Sequence, residues 1–425
     1  MLRPIAALIA SPSYCRYRGM EVTKTVKAKV VELTVVKRLA LEAEYANYQK
    51  AVLRAEVLIE ELNITTLKQA GELLYDEGSE YSLKKQANLY SAAYQMAFKR
   101  ALCTRGRSKK EQPLRLRNDT FDVREIRNDI AAYWAKIPVY GQHGGVKVAL
   151  KMSPKHEELL RDPELQTCDS ELLKRGDGFY LHITVKKRID TAPSNSGKLA
   201  VIGIDAGISN TATSVVWRDD SITGVVLHSG KRLWHKTRQA RARLAKLHKQ
   251  AFSHNSYHCI TKALDNETAV GQKLGNYSRD YLHKISAQII GQAIDLRAQG
   301  YGVVIACEDL KHIRKRISGK LQWWAFRKLL DFVKYKAQWA GIAYIEVEPA
   351  NTSRTCPKCG HYNKNSRCGL AFKCTECKYN ANADLVGAIN VAMRFPAFLE
   401  LQTRGKGRHE SAQEVIAATP KAMML

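Results

Sequence analysis

The sequence predicts an α/β chain carrying a small cysteine-bound insertion, and three observations predict it. Two short apolar runs, Leu199-Ala200-Val201-Ile202-Gly203-Ile204 and Tyr301-Gly302-Val303-Val304-Ile305-Ala306, have the length of buried strands, and each runs out into a carboxylate, Asp205 and Glu308. Two Cys-x-x-Cys pairs, Cys356-Pro357-Lys358-Cys359 and Cys374-Thr375-Glu376-Cys377, have the spacing of a metal-bound ribbon. Ahead of these, strand-like alternation flanks a long helical stretch. At 425 residues, 45% of them hydrophobic, the chain can build two or three domains with real cores.

In chain order, Met1 to Gly19 holds a short apolar stretch, Ile5 to Ala10, among arginines and serines. Signal and transit peptides share that composition, as does a disordered tail. From Thr23 to Val36 apolar and basic residues alternate, the pattern of a strand with one buried and one basic face, suited to lining a nucleic-acid channel. Between about Val36 and Thr104 the pattern turns helical, through Leu39, Leu41, Tyr45, Tyr48, Val52, Leu53 and Val57, then Leu83, Ala87, Tyr90, Ala93, Tyr94 and Ala97. These aromatics read as core residues rather than base-stacking platforms. Arg105 to Lys110 is a basic loop, either a phosphate contact or a solvated turn. Strand-like alternation returns at Val146–Met152 and Gly178–Lys187, enough to close a barrel around the helical insert. Pro193 to Lys198 has the composition of a linker.

Asp384 opens a segment with Leu385, Ile389 and Ala392 at helical spacing, which places it in a first helical turn, where a negative charge is favoured. Asp205, Glu308 and Asp384 are far apart in sequence yet suited to meeting at one edge of a sheet. Three such acids suit two Mg²⁺ ions, which take a few carboxylates plus phosphate oxygens and promote phosphodiester hydrolysis. Taken singly, each acid is equally well a turn residue, a solvated strand end or a helix-start residue. Asp309 competes with Glu308, but side chains alternate along a strand, so one of the two faces the site.

The four cysteines Cys356, Cys359, Cys374 and Cys377 read as thiolate ligands of a structural zinc. Gly360 and the turn-rich run Asn363 to Ser366 supply the hairpin between the two knuckles. The remaining cysteines, Cys15, Cys103, Cys168, Cys259, Cys307 and Cys368, are scattered without a disulfide framework. Cys368 lies inside the ribbon loop and is the one substitute ligand on offer.

Together these residues resemble the TnpB proteins encoded by insertion sequences and their relatives, the miniature type V CRISPR effectors. The resemblance is carried by Gly203-Ile204-Asp205, Glu308-Asp309-Leu310, Asn351 through Gly360, and Asn380-Ala381-Asn382-Ala383-Asp384 through Asn390. It is strong over the C-terminal half and rests on layout in the N-terminal half. It implies an RNase H-like RuvC nuclease core over 199–350 and 379–395, with a zinc ribbon at 351–378 that binds target nucleic acid. Before the core it implies a wedge β-barrel over 20–36 and 105–192, interrupted by a helical recognition lobe over 37–104. Residues 1–19 then precede the usual opening strand, as a disordered or mis-assigned start, and 396–425 form a partly disordered tail. The resemblance makes Asp205, Glu308 and Asp384 the catalytic Mg²⁺ ligands of an endonuclease that hydrolyses DNA under the direction of a guide RNA. Its partners are that RNA and double- and single-stranded target DNA; monomer and homodimer stay open, as does transposon or CRISPR association. Some relatives place an arginine in the ribbon loop near the active centre, and Arg367 is similar; a solvated loop arginine is the equal alternative. The chain departs from the usual pattern at Leu385-Val386-Gly387, where relatives more often carry a polar or aromatic residue and then Asn-Ala-Ala. All three acids are present, which separates the sequence from nuclease-dead relatives that only bind.

Charge agrees with this placement. Lysine and arginine number 68 against 41 acids, a net charge of +27 and a pI near 9.7, a field suited to polyanions. The stretch Lys231 to Leu244, with Lys246 and Lys249 following, reads as a basic helix with an apolar stripe. Its Lys231, Arg232, Lys236, Arg238, Arg241, Arg243 and Lys246 are candidate phosphate contacts, with a solvated face as the alternative. His235, His248, His254 and His258 lack ligand spacing. No apolar run reaches the roughly 18 residues that span a bilayer, so the expected location is the prokaryotic cytoplasm, on the nucleoid when bound to DNA.

Overall fold

The computed structural model describes residues 20–85, 87–104, 111–189, 198–207, 209–219, 221–253, 256–310 and 326–403. The segment Met1–Gly19, the basic loop Arg105–Lys110, most of the 193–198 linker, His254 and the chain beyond Thr403 lie outside the described residues. The chain divides into two compact units, Glu21–Arg188 and the remainder.

The first unit opens with β1 (Met20–Val31), whose buried positions alternate from Val22 onward. The strand stops short of Val36 because Thr34, extended, accepts a hydrogen bond from the Lys37 amide and so caps α1 (Val35–Glu61). Leu41, Tyr45, Tyr48 and Val52 are buried along α1, whereas Leu39, Leu53 and Val57 point to solvent. A capping box formed by Thr66 and Gln69 starts α2 (Leu67–Leu74). The helix expected from Leu83 begins only at α3 (Ser91–Thr104). The Leu89 amide donates to the Tyr94 hydroxyl (3.1 Å) and the Tyr90 amide to Glu44 (2.9 Å), so side chains satisfy donors that a helix would otherwise use.

The strands of this unit form one sheet. They are β2 (Leu114–Leu116), β3 (Asp122–Glu125), β4 (Tyr133–Ile137), β5 (Val146–Lys151), β6 (Gln166–Thr167), β7 (Ser170–Arg175) and β8 (Gly178–Ile189), with α4 (Pro154–Leu160) between β5 and β6. The order is β2-β7-β8-β1-β5-β4-β3, with β6 also pairing to β8. Strict alternation of buried residues through β8 gives the sheet one apolar face.

The second unit is built on a five-stranded mixed sheet. Its strands are β9 (Leu199–Asp205), β10 (Asn210–Arg218), β11 (Ser221–Ser229), β12 (Gly302–Glu308) and β13 (Ala343–Val347), in the order β11-β10-β9-β12-β13. β10 is antiparallel to β9 and β11, while β9, β12 and β13 run parallel. Helices α5 (Lys231–Ser253), α6 (Tyr257–Ala298) and α7 (Phe326–Trp339) follow β11 and β12. Ala200, Ile202, Ile204, Val303, Ile305 and Cys307 pack with residues of α6 and α7 on one face of the sheet. Val201, Val304 and Ala306 face the other way, onto Val391, Ala392 and Phe395 of α8 (Ala383–Thr403). The helix continues to Thr403, past its expected end at Phe395, since the helix formers Ala397, Leu399, Glu400, Leu401 and Gln402 follow Pro396.

Gly203 lies where α8 crosses β9. A Cβ there would stand 2.3 Å from the Ala388 carbonyl oxygen and 2.7 Å from the Ala392 Cβ, so the absence of a side chain sets how closely helix and strand approach. Between β13 and α8 the chain forms a three-stranded ribbon of β14 (Arg367–Cys368), β15 (Ala371–Lys373) and β16 (Asn380–Asn382). No helix of the described residues is long and apolar enough to cross a membrane.

Candidate active site and metal centre

Strand parity and register bring the first two acids together. Asp205 shares the α8 face of β9 with Val201 and Gly203, and Glu308 shares that face of β12 with Val304 and Ala306. Because Cys307 is level with Ile204, Glu308 ends its strand beside Asp205. Asp309 follows the strand, and its amide donates to the Val347 carbonyl at 2.8 Å.

The third acid arrives on α8. The Asn382 side chain accepts from the amides of Asp384 (2.9 Å) and Leu385 (3.4 Å), capping the helix so that Asp384 lies in its first turn. Asp384 is 4% exposed and Asp205 9%. One Asp384 oxygen accepts from the Asn210 amide at 3.0 Å, and the other is 3.8 Å from the Arg367 guanidinium. Across the ribbon, Arg367 pairs with Phe372 and Phe372 with Ala381, so the sheet register carries Arg367 to the start of α8.

The electrostatics follow from burial of like charges. Burial pushes the Asp205 carboxyl well above the usual carboxylate range, the charges of Glu308 and Asp384 push it further, and Arg367 opposes them. Burial likewise raises Glu308, opposed by the Thr352 hydroxyl and by Arg394 and Arg367. Two buried carboxyls raised in this way, Asp205 and Glu308, gain from a cation between them, which makes the cluster a fitting seat for divalent cations.

The cysteines close a second centre. Sγ atoms of Cys356 and Cys377, and of Cys359 and Cys374, lie 3.6 Å apart, and all four are within 4.8 Å of one another. A tetrahedron of thiolates at the zinc–sulfur distance has edges of about 3.8 Å, so the donor set fits a zinc ion. Cys368 is exposed and outside the cluster. Each knuckle ends in a left-handed residue, Gly360 (φ 74°) and Lys378 (φ 60°). Phe372, Ala383 and Val386 pack beneath the cysteines. Val386, one of the departures from the usual pattern, thus belongs to the ribbon's own core. Among the described residues only the cysteines form so tight a set of donors; the carboxylates are more widely placed.

The basic helix begins at the same end of the sheet. Asn210 pairs with Ser229, the Gly230 amide donates to the Ser209 carbonyl at 2.9 Å, and α5 starts at the next residue. Lys231, Arg232, Lys236, Arg238, Arg243 and Lys246 are exposed along it and Arg241 is half-buried, while only Leu233 and Ala251 are buried.

Sequence reasoning missed Asn210, Thr352, Gly387, Asn390 and Arg394. Thr352, Gly387 and Asn390 stood within the motifs that carry the resemblance, but nothing in their spacing says what they touch. A Cβ on Gly387 would lie 2.6 Å from an Asp205 oxygen.

The fold and site define an α/β core with a carboxylate cluster and an inserted cysteine ribbon, and comparison with known proteins gives this class its relatives. Residues 326–391 match the family model of the Cas12f1-like TNB domain. The chain is 30% identical over 236 residues to the CRISPR-associated endodeoxyribonuclease Cas12f1 of Sulfoacidibacillus thermotolerans, covering 54% of each chain. It is 37% identical over 120 residues to a TnpB-like protein of Methanocaldococcus jannaschii, covering 26% of this chain and 41% of that one. The chain thus spans about half the length of these curated relatives. Its fold is similar to that in a cryo-EM structure of a Cas12f1–sgRNA–target DNA complex, with a TM-score of 0.57 at 16% identity over 84% of this chain and 82% of that one. The resemblance to TnpB proteins and miniature type V effectors therefore extends beyond the motifs.

Proposed function

We propose that this chain is an RNA-guided DNA endonuclease whose RuvC-type, RNase H-like site is formed by Asp205, Glu308 and Asp384. The observation that carries the reading is the meeting of these three acids at the ends of β9, β12 and the start of α8, with Arg367 of the ribbon against Asp384. When bound, two Mg²⁺ ions supply activation of water and stabilisation of the departing 3′ oxygen. Asp205, Glu308 and Asp384 hold them, and Arg367 offers positive charge beside the third acid. The ribbon, closed by zinc on its four cysteines, and the exposed cations of α5 contact target nucleic acid. In this reading the sheet of Glu21–Arg188 is the wedge barrel and α1 to α3 the recognition lobe, so that base pairing with the guide selects the target while protein reads a short adjacent motif.

The test is purification with native flanking DNA in the expression plasmid, sequencing of the copurifying RNA, and challenge with matched double-stranded DNA and Mg²⁺. Cutting that follows the RNA sequence and vanishes in Asp205→Ala supports the reading. Cutting without RNA replaces it with an unguided, resolvase-like nuclease, and guided binding without cutting replaces it with a repressor.

A further inference from the structure

Two side chains one helical turn apart on α8 capture four carbonyls of the irregular segment that joins β13 to the ribbon. The Asn390 amide donates to the carbonyl oxygens of Thr352 (2.6 Å) and Thr355 (2.8 Å), using both of its protons. The Arg394 guanidinium donates to the carbonyl of Ala350 at 2.5 Å, and also to that of Glu348. At the centre of this segment the Thr352 hydroxyl lies 2.6 Å from Glu308 Oε1 and 3.2 Å from the Pro349 carbonyl. A hydroxyl has one proton, and the shorter contact, to the Glu308 carboxyl oxygen, takes it. Thr352 is 4% exposed and Asn390 8%, so neither contact is shared with bulk water.

We propose that Thr352 is a positioning residue that fixes the Glu308 carboxylate for the divalent cation, and that Asn390 and Arg394 hold Thr352 in place. The inference rests on the reading of Glu308 as a metal ligand. Glu308 ends its strand on a side chain with three rotatable bonds, and among the described residues its hydrogen-bond donor is the Thr352 hydroxyl. That hydroxyl is carried on backbone that α8 grips at Glu348, Ala350, Thr352 and Thr355. The helix that carries Asp384 therefore also aims Glu308. Outer partners of this kind typically govern metal affinity by 10- to 100-fold, about the range expected here.

The experiment measures Mn²⁺ binding to the full-length, zinc-loaded chain by the loss of free-ion EPR signal, with the Mg²⁺ concentration for half-maximal cutting as a second reading. Thr352→Val is expected to weaken Mn²⁺ binding and raise the Mg²⁺ requirement roughly 10- to 100-fold, with zinc content unchanged. Thr352→Ser restores both to within about threefold of the original protein, and Asn390→Asp, which keeps the size but loses the donors, weakens binding as Thr352→Val does. Wild-type Mn²⁺ affinity in Thr352→Val, or equal damage from Thr352→Ser, overturns the proposal. If Glu308→Gln itself leaves Mn²⁺ binding unchanged, the reading of the acids as ligands fails instead.

Discussion

Gly387 leaves room for Asp205: a methyl group at that glycine would stand 2.6 Å from Oδ2 and 3.0 Å from Cγ of the carboxylate. No real Cβ contact is so short, so a side chain at 387 forces Asp205 into another orientation. Although the usual family pattern places alanine at this position, in the packing seen here Gly387→Ala is expected to lower the Mg²⁺-dependent cutting rate about 10-fold or more. Helix propensity meanwhile favours alanine by up to about 1 kcal/mol. A thermal melt no lower than wild type alongside a lost rate distinguishes this from general damage; equal cutting refutes it.

At Gly203 the obstruction is backbone rather than a movable carboxylate. Gly203→Ala must separate α8 from β9, and overpacking of that kind costs about 1–3 kcal/mol. Urea denaturation of the zinc-loaded protein should show an unfolding free energy lower by that amount and a lower midpoint, and cutting should fall with it because Asp384 moves with the helix. An unchanged midpoint contradicts the packing described.

The acids also set a pH dependence. Asp205 and Glu308 have folded pKa values raised above their ordinary range by burial first, and Asp205 by its like-charged neighbours as well. Their contribution to stability is therefore fully present below about pH 4, near their unfolded values, and is lost as pH rises through the raised folded values. Without Mg²⁺, the melting temperature should decline over that rise, and less steeply in Asp205→Asn. Added Mg²⁺ should release protons and stabilise more at the upper end of the range, which differential scanning fluorimetry at several pH values will read.

Lys378 completes the second knuckle in a left-handed conformation that Gly360 occupies in the first. A side chain there costs roughly 1–2 kcal/mol. Lys378→Gly should slow zinc release to a chelator, even though it loses the Lys378 contact to the Thr375 carbonyl at 2.8 Å. Faster release indicates that the lost contact outweighs the relieved backbone.

For α5, replacing Arg238 and Arg243 together with glutamine should weaken DNA binding more at low salt than at high. Each lost phosphate contact flattens the plot of log affinity against log salt by about 1. An unchanged slope assigns these cations to solvent.

The sequence made some of this legible for definite reasons. Apolar runs ending in Asp205 and Glu308 announce strands because burial on both faces leaves no polar alternation, whereas alternation says only that one of Glu308 and Asp309 faces the site, and it was the family resemblance that named Glu308. The cysteines were legible because tetrahedral coordination fixes their spacing. Thr352, Asn210 and Arg394 were not, since each acts across the fold on a residue tens of positions away. Nor was the late start of α3, decided by Glu44 and Tyr94 capturing backbone amides. Arg367 could be named but not placed until the ribbon register brought it to Asp384.

The ribbon's two ends both fasten to α8, through Thr352 and Thr355 on Asn390 and through Asn382 at the helix cap. It is consequently a cassette hung from one helix at both of its attachment points. Arg367 sits within it, so whatever reshapes the ribbon's interior also moves the cation beside the third acid.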